Sequence, residues 1–147
     1  MKKTDKFIKL IQSDIEGKTI LEVACGSGEL SVAASALAKT VTCIDIDDGR
    51  LCEQIHRDNI RFEVMDAREM TFADETFDTA VIYNALFHIK DYWDDIINEC
   101  RRVIKKDGTI YVVSTWSLDT NLMDEMFGDR VAKSGDFSVV RITGYGR

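Results

Sequence analysis

Three carboxylates, Glu22, Asp45 and Asp66, each stand at or near the end of an apolar run: "TILEVA", "VTCIDI" and "RFEVMD". A strand ending in an acid presents an acceptor-only group at a sheet edge, where it can hold hydroxyls, amines or a cation. The turn Ala24-Cys25-Gly26-Ser27-Gly28 follows the first of these runs. Its glycines permit positive φ and let a ligand approach the backbone without meeting a Cβ. Glu22, just before the turn, suits a ligand that is cationic at that end, whereas a pyrophosphate favours an uncharged approach to the helix N-terminus. The G-x-G-x-x-G dinucleotide pattern also needs a glycine at position 31, which here is Ser31. Asp45 can accept from both hydroxyls of a ribose. Asp66 can accept from an adenine amine, with Ile46 and Ala67 offering apolar contact to the ring.

His88 is the candidate general base. It follows the fourth apolar run at the same rim, and an imidazole ordinarily titrates near neutrality. Tyr83, Phe87 and Trp116 are candidates for lining an acceptor pocket, while Trp93 falls on the apolar face of a helix and reads as core. His56 reads as a surface or capping residue. The four cysteines, Cys25, Cys43, Cys52 and Cys100, form no C-x-x-C pair and have no histidine at zinc-finger spacing. No metal site or disulfide framework is expected, and reduced thiols fit the cytoplasm.

These residues need strands and helices in alternation to position them. Phe7, Ile8 and Ile11 give a short amphipathic helix over 5–13. "KTILEVA" then predicts a first strand and 29–39 a helix. "TVTCIDI" predicts a second strand, 48–57 a short helix, "IRFEVMD" a third strand and "FDTAVIYN" a fourth. Residues 91–105 predict a helix, and the turn at Asp107-Gly108 leads into a fifth strand, "TIYVVSTW". That order predicts a doubly wound, mostly parallel α/β sheet with helices on both faces, forming one domain over 1–147. After the fifth strand only a helix over 119–132 and one strand-like run, "DFSVVRITGYGR", are foreseen. A sheet shorter than seven strands is therefore expected, with its exposed edge inviting a homodimer or partner chain.

The 147 residues, 45% hydrophobic, suit a single globular domain. No run approaches the ~18 apolar residues of a membrane span, and no membrane partner is expected. A formal net charge of −7 argues against intrinsic nucleic-acid binding, which depends on cationic contacts to phosphate. Two basic clusters run against that balance. Lys2, Lys3, Lys6 and Lys9 form one; Arg101, Arg102, Lys105 and Lys106 form the other and read as cations facing a helix C-terminus.

The pieces "LEVACGSG", "IDID", "MDAREMTFADETFD", "YNALFHI" and the strand after "VIKKDG" occur in the order and spacing of a known family. Over residues 18 to about 116 the chain resembles the class I S-adenosylmethionine-dependent methyltransferases, and among them the small-molecule enzymes of the ubiquinone-biosynthesis type. The resemblance implies a Rossmann-like fold, S-adenosylmethionine as cofactor and a small-molecule acceptor. It places Glu22, Gly26 and Gly28 around the methionine end, Asp45 at the ribose and Asp66 with Ala67 at the adenine. Ala24, Cys25, Ile46 and Asn84 complete the implied cofactor-binding set. The asparagine-proline-proline-aromatic motif of amino-methylating DNA enzymes is absent, since residues 84–87 are Asn-Ala-Leu-Phe. A protein or RNA methyltransferase working with a partner, and a non-catalytic adenosyl-binding module, are the alternatives.

Overall fold

The computed structural model describes residues 1–143. Strand β1 (Thr19–Val23) is buried along nearly its whole length, so it sits mid-sheet between β2 (Thr40–Asp45) and β4 (Phe77–Tyr83), parallel to both. β3 (Ile60–Val64) pairs with β2, and β5 (Ile104–Ser114) with β4, again in parallel. The chain leaves β1 toward one side of the sheet and returns toward the other. That reversal opens a crevice at the carboxyl ends of β1 and β4.

Helices α1 (Lys3–Leu10) and α2 (Glu29–Ser35) cover one face, burying Phe7, Ile8, Leu30 and Ala34 against Ile20, Val41 and Val81. The other face carries α3 (Leu86–Ile89), α4 (Trp93–Val103) and α5 (Ser117–Phe127). On α4 the 3.6-residue period sets Ile96, Ile97, Cys100 and Val103 on the buried side. Trp93 packs edge-on against Phe127 at 5.5 Å, in keeping with its reading as core.

The expectation of fewer than seven strands is wrong. Among the described residues the sheet has seven, in the order β3-β2-β1-β4-β5-β7-β6. β6 (Ala132–Ser134) and β7 (Phe137–Thr143) form a hairpin turning at Gly135-Asp136, and β7 runs antiparallel to β5 from Ser114↔Ser138 to Thr109↔Thr143. β6 escaped the sequence because three exposed residues, Ala-Lys-Ser, carry no alternation to read. The hairpin covers the apolar edge of β5 and leaves a short polar edge bearing Lys133, a common way of blunting a sheet. The motive for a partner at that edge falls with the missing strand. The foreseen strand-like run extends to Arg147, and its last four residues lie outside those described.

Between β2 and β3 the predicted helix over 48–57 shrinks to a single 3₁₀ turn, Glu53–Ile55. Side chains compete with helical bonding there. Asp47 Oδ1 accepts from Gly49 N at 2.9 Å at the start of the segment. Arg102, read from sequence as facing a helix dipole, has a more specific task. Its guanidinium bonds Glu99, Asp74 and the carbonyls of Met70 and Phe72, clamping the loop after β3 onto α4.

Candidate active site

Glu22, next to last in β1, is 2% exposed. Its Oε1 accepts from Ser31 Oγ at 2.7 Å and from Ser31 N at 3.1 Å. Burial pushes its carboxyl up to about 8, and the Ser31 hydrogen bonds offset only part of that. Ser31 stands out in the sequence only as a missing glycine. In the fold it holds the buried acid, which a small polar residue in the first turn of a helix facing the strand can do.

The β1–β2 register brings Val23 beside Ile44, so the chain beyond Val23 bends level with Asp45. Ala24 makes that bend at φ 57°, a left-handed conformation that a non-glycine residue adopts only when its surroundings enforce it. Gly26 N donates to Asp45 Oδ2 at 2.8 Å, and Cys25 N to the carbonyl of Ile44 at 3.0 Å. Gly26, at φ 56°, faces a cavity; a Cβ there would lie 3.4 Å from the Arg50 guanidinium. Gly28, at φ 81°, does not line that cavity. A Cβ on it would meet Ile55 Cδ1 at 2.5 Å, so its bareness admits the β2–β3 crossover behind the turn.

Asp45 Oδ1 also accepts from Asp47 N at 3.0 Å. Ile46, 76% exposed, lies on the rim beside it. Asp66, just beyond β3, is gripped by Arg68, whose Nε and Nη2 bond its carboxylate at 3.1 and 2.8 Å. Those bonds hold the Asp66 carboxyl below the usual range. The same guanidinium lies 4.2 Å above the Tyr92 ring. Arg50 and Arg68, both on this wall, carried no sequence signal beyond their charge.

On the far side, Asn84 directly follows β4 at φ 52°. It exchanges two hydrogen bonds with Thr115: Nδ2 to Oγ1 at 2.8 Å, and Thr115 N to Oδ1 at 2.7 Å. The ends of β4 and β5 are thereby tied together. His88 lies exposed on α3, and α3 is fixed to α5 where Phe87 N donates to buried Asp119 at 2.9 Å.

One cavity of about 880 Å³ joins these parts. Glu22, Ala24, Cys25, Gly26, Asp45, Ile46, Asp66, Ala67, Asn84 and His88 all line it, together with Tyr83 and Trp116; Phe87 and His56 do not. Lys2, Lys3 and Thr4 line it as well. An acid-rimmed cleft at the carboxyl edge of β1, β2 and β4 suits a ligand with hydroxyls and a cationic end.

Residues 21–112 match the family described as Methyltransferase domain. The chain belongs to this family. The methyltransferase domain is 31% identical over 107 residues to a ubiquinone biosynthesis O-methyltransferase of Pseudomonas syringae pv. tomato, covering 68% of this chain and 45% of that one. It is 35% identical over 105 residues to a fatty-acid O-methyltransferase of Mycolicibacterium smegmatis, covering 66% and 37%. Among solved structures, a SAM-dependent methyltransferase from Methanosarcina mazei superposes with a TM-score of 0.60 at 27% identity, covering 71% and 56%. The methyltransferase domain thus spans less than half the length of these two curated relatives.

Proposed function

We propose that this chain binds S-adenosylmethionine in the cleft and catalyses methyl transfer to a small-molecule acceptor. The observation that carries the reading is the convergence of Glu22, Gly26, Asp45 and Asp66 on one cavity. At about 880 Å³ it has room for the cofactor and a small acceptor together, within the ~300–1,000 Å³ of ordinary ligand sites. The donor set fits the cofactor as well. Gly26 leaves its backbone open toward the cavity, and acids stand where a cationic amine and ribose hydroxyls need acceptors.

In this reading Glu22 and the turn at 24–26 hold the methionine end, Asp45 accepts from the ribose, and Asp66, Ala67 and Ile46 receive the adenine. Asn84 supports the cofactor from the β4 side. The bound cofactor supplies a methyl group made electrophilic by its sulfonium. The chain's own task is then to orient the acceptor in line with that methyl, and alignment alone can supply ~7–11 kcal/mol of the barrier. Tyr83 and Trp116 orient the acceptor, and an imidazole nitrogen of His88 takes its proton where the nucleophile must lose one. Relatives named for a quinone pathway and for fatty acids favour a small acceptor. Four free cysteines favour a reducing compartment such as the cytoplasm.

The test is transfer of labelled methyl groups to a cell extract fractionated by size, beside calorimetry with S-adenosylmethionine, S-adenosylhomocysteine and NAD. Label in the small-molecule fraction supports the reading. Label confined to protein or RNA overturns the acceptor class; adenosyl binding without transfer leaves a binding module. NAD bound more tightly than both adenosyl ligands overturns the whole.

A further inference from the structure

Asp66 stands just beyond β3 with 44% of its side chain exposed, and Arg68 is open to much the same degree. A carboxylate that open turns freely unless something fixes it, and an exposed ion pair by itself adds little. Here the fixing is close to complete. The backbone N of Arg68 donates to Asp66 Oδ1 at 2.9 Å, the turn in which an aspartate side chain bonds the chain two residues on. Arg68 Nε lies 3.1 Å from both oxygens, and Nη2 donates to Oδ2 at 2.8 Å. Three N–H groups of one residue thus occupy three of the roughly four acceptor positions of the carboxylate. One position is left over.

The guanidinium is braced in turn. It lies 4.2 Å over the ring of Tyr92, which immediately precedes α4, so the start of the loop after β3 is tied to the start of that helix. Farther along the loop, Glu99 Oε1 accepts from Met70 N at 2.7 Å, and Arg102 Nη2 donates to the Met70 carbonyl. Both ends of the segment 66–70 are therefore seated on the α4 region, whose inner face belongs to the core. Asp66, Arg68 and Tyr92 line the cavity together with Ala67, Ile89 and Ile96. An apolar slot with one directed acceptor suits a flat heteroaromatic ring that carries an amine.

We propose that Arg68 is a positioning residue that sets which base the cofactor site accepts, an amino-purine rather than an oxo-purine. The inference rests on the reading of Asp66 as the adenine acceptor. Held by Arg68, the carboxylate offers a lone pair in one direction and no proton. An exocyclic amine can donate into it. A carbonyl in the same place would set oxygen against oxygen, and the carboxylate cannot rotate away without giving up the fork. Selection then comes from the partner rejected as much as from the partner accepted. Freed of Arg68, Asp66 would turn into solvent and read neither base.

The test is calorimetry with two probes: S-adenosylhomocysteine, and S-inosylhomocysteine, in which a carbonyl replaces the amine. The parent should bind the first at least about tenfold more tightly, the size of one hydrogen bond to a charged acceptor. Arg68→Ala should bring the two affinities together. Arg68→Lys should do most of the same, since an ammonium cannot fork across two oxygens. In an Asp66→Ala background, Arg68→Ala should leave the ratio where Asp66→Ala put it, the mark of a residue acting through another. A general loosening of the fold would weaken both probes alike and leave their ratio unchanged, and circular dichroism checks that each variant is folded. Equal affinities in the parent overturn the inference, as does a parent-like ratio in both Arg68 variants. A ratio that Arg68→Ala alters as much without Asp66 also overturns it. Failure of the parent to bind either probe defeats the adenosyl reading and this inference together. Binding of S-adenosylhomocysteine with an unchanged ratio in the variants defeats this inference alone.

Discussion

The backbone N–H of Gly26 donates to Oδ2 of Asp45 at 2.8 Å, so the acid that ends β2 holds the glycine turn that follows β1. Two distant pieces of sequence are thus a single unit. Asp45 shapes the turn and still has lone pairs to offer a ligand.

Asp45→Ala should therefore act twice. Each hydrogen bond to a charged group is worth roughly 1.5–3 kcal/mol, so cofactor affinity should fall at least about tenfold. Thermal stability should drop modestly as the turn loosens. Calorimetry and a melting curve read both, and a folded variant with unchanged affinity would remove Asp45 from the site.

Glu22 gives a pH dependence with a definite sign. Its carboxyl is raised from 4.5 to about 8, so the folded chain keeps a proton that the unfolded chain has released. Stability from this group is full below about 4.5 and is lost as pH rises through about 8. Glu22→Gln should flatten that loss, gaining on the order of 1–3 kcal/mol relative to the parent at alkaline pH. The same change should weaken adenosyl binding. In the parent, binding near neutrality should release about one proton, seen as buffer-dependent enthalpy. A parallel pH profile for parent and variant would contradict this account.

His88→Ala should lower turnover by about 10²–10⁴-fold, where the acceptor must lose a proton, and leave adenosyl affinity unchanged. Single-turnover rates beside calorimetry separate the two. Equal turnover in the variant would return His88 to a packing role.

Arg102→Lys should destabilise the fold by roughly 1–2 kcal/mol, because an ammonium cannot reproduce a fork that meets two carboxylates and two carbonyls. Denaturant melts read the loss. Arg102 also holds the Glu99 carboxyl below its usual range, so this contribution should fade as pH drops into the acid range.

Much of the sheet was legible because β1, β2, β4 and β5 are strongly apolar runs separated by glycine turns or amphipathic helices. β6 was not, since its pairing comes from the hairpin and from β7 rather than from Ala-Lys-Ser itself. The crossover after β2 misled for the opposite reason: its apolar residues, Leu51 and Ile55, suggest a helix, yet they pack behind Gly28 without one. In the site, the acids at strand ends could be named from spacing. Ser31, Arg68 and Thr115 could not, because their importance lies in partners set by the fold. Gly28, placed by resemblance near the cofactor, also makes room for Ile55, a packing constraint that its position in the motif does not reveal.

The crossover between β2 and β3 also bears on local opening. That crossover holds a single 3₁₀ turn, and among the described residues β3 pairs with β2 alone and has no residue fully buried. Amide protons over 60–64 should therefore exchange with solvent sooner than those of β1 or β4. The strand leads directly to Met65 and Asp66 on the cavity wall, so a ligand seated there would slow exchange along its length. The least buried of the parallel strands would then be its reporter of occupancy.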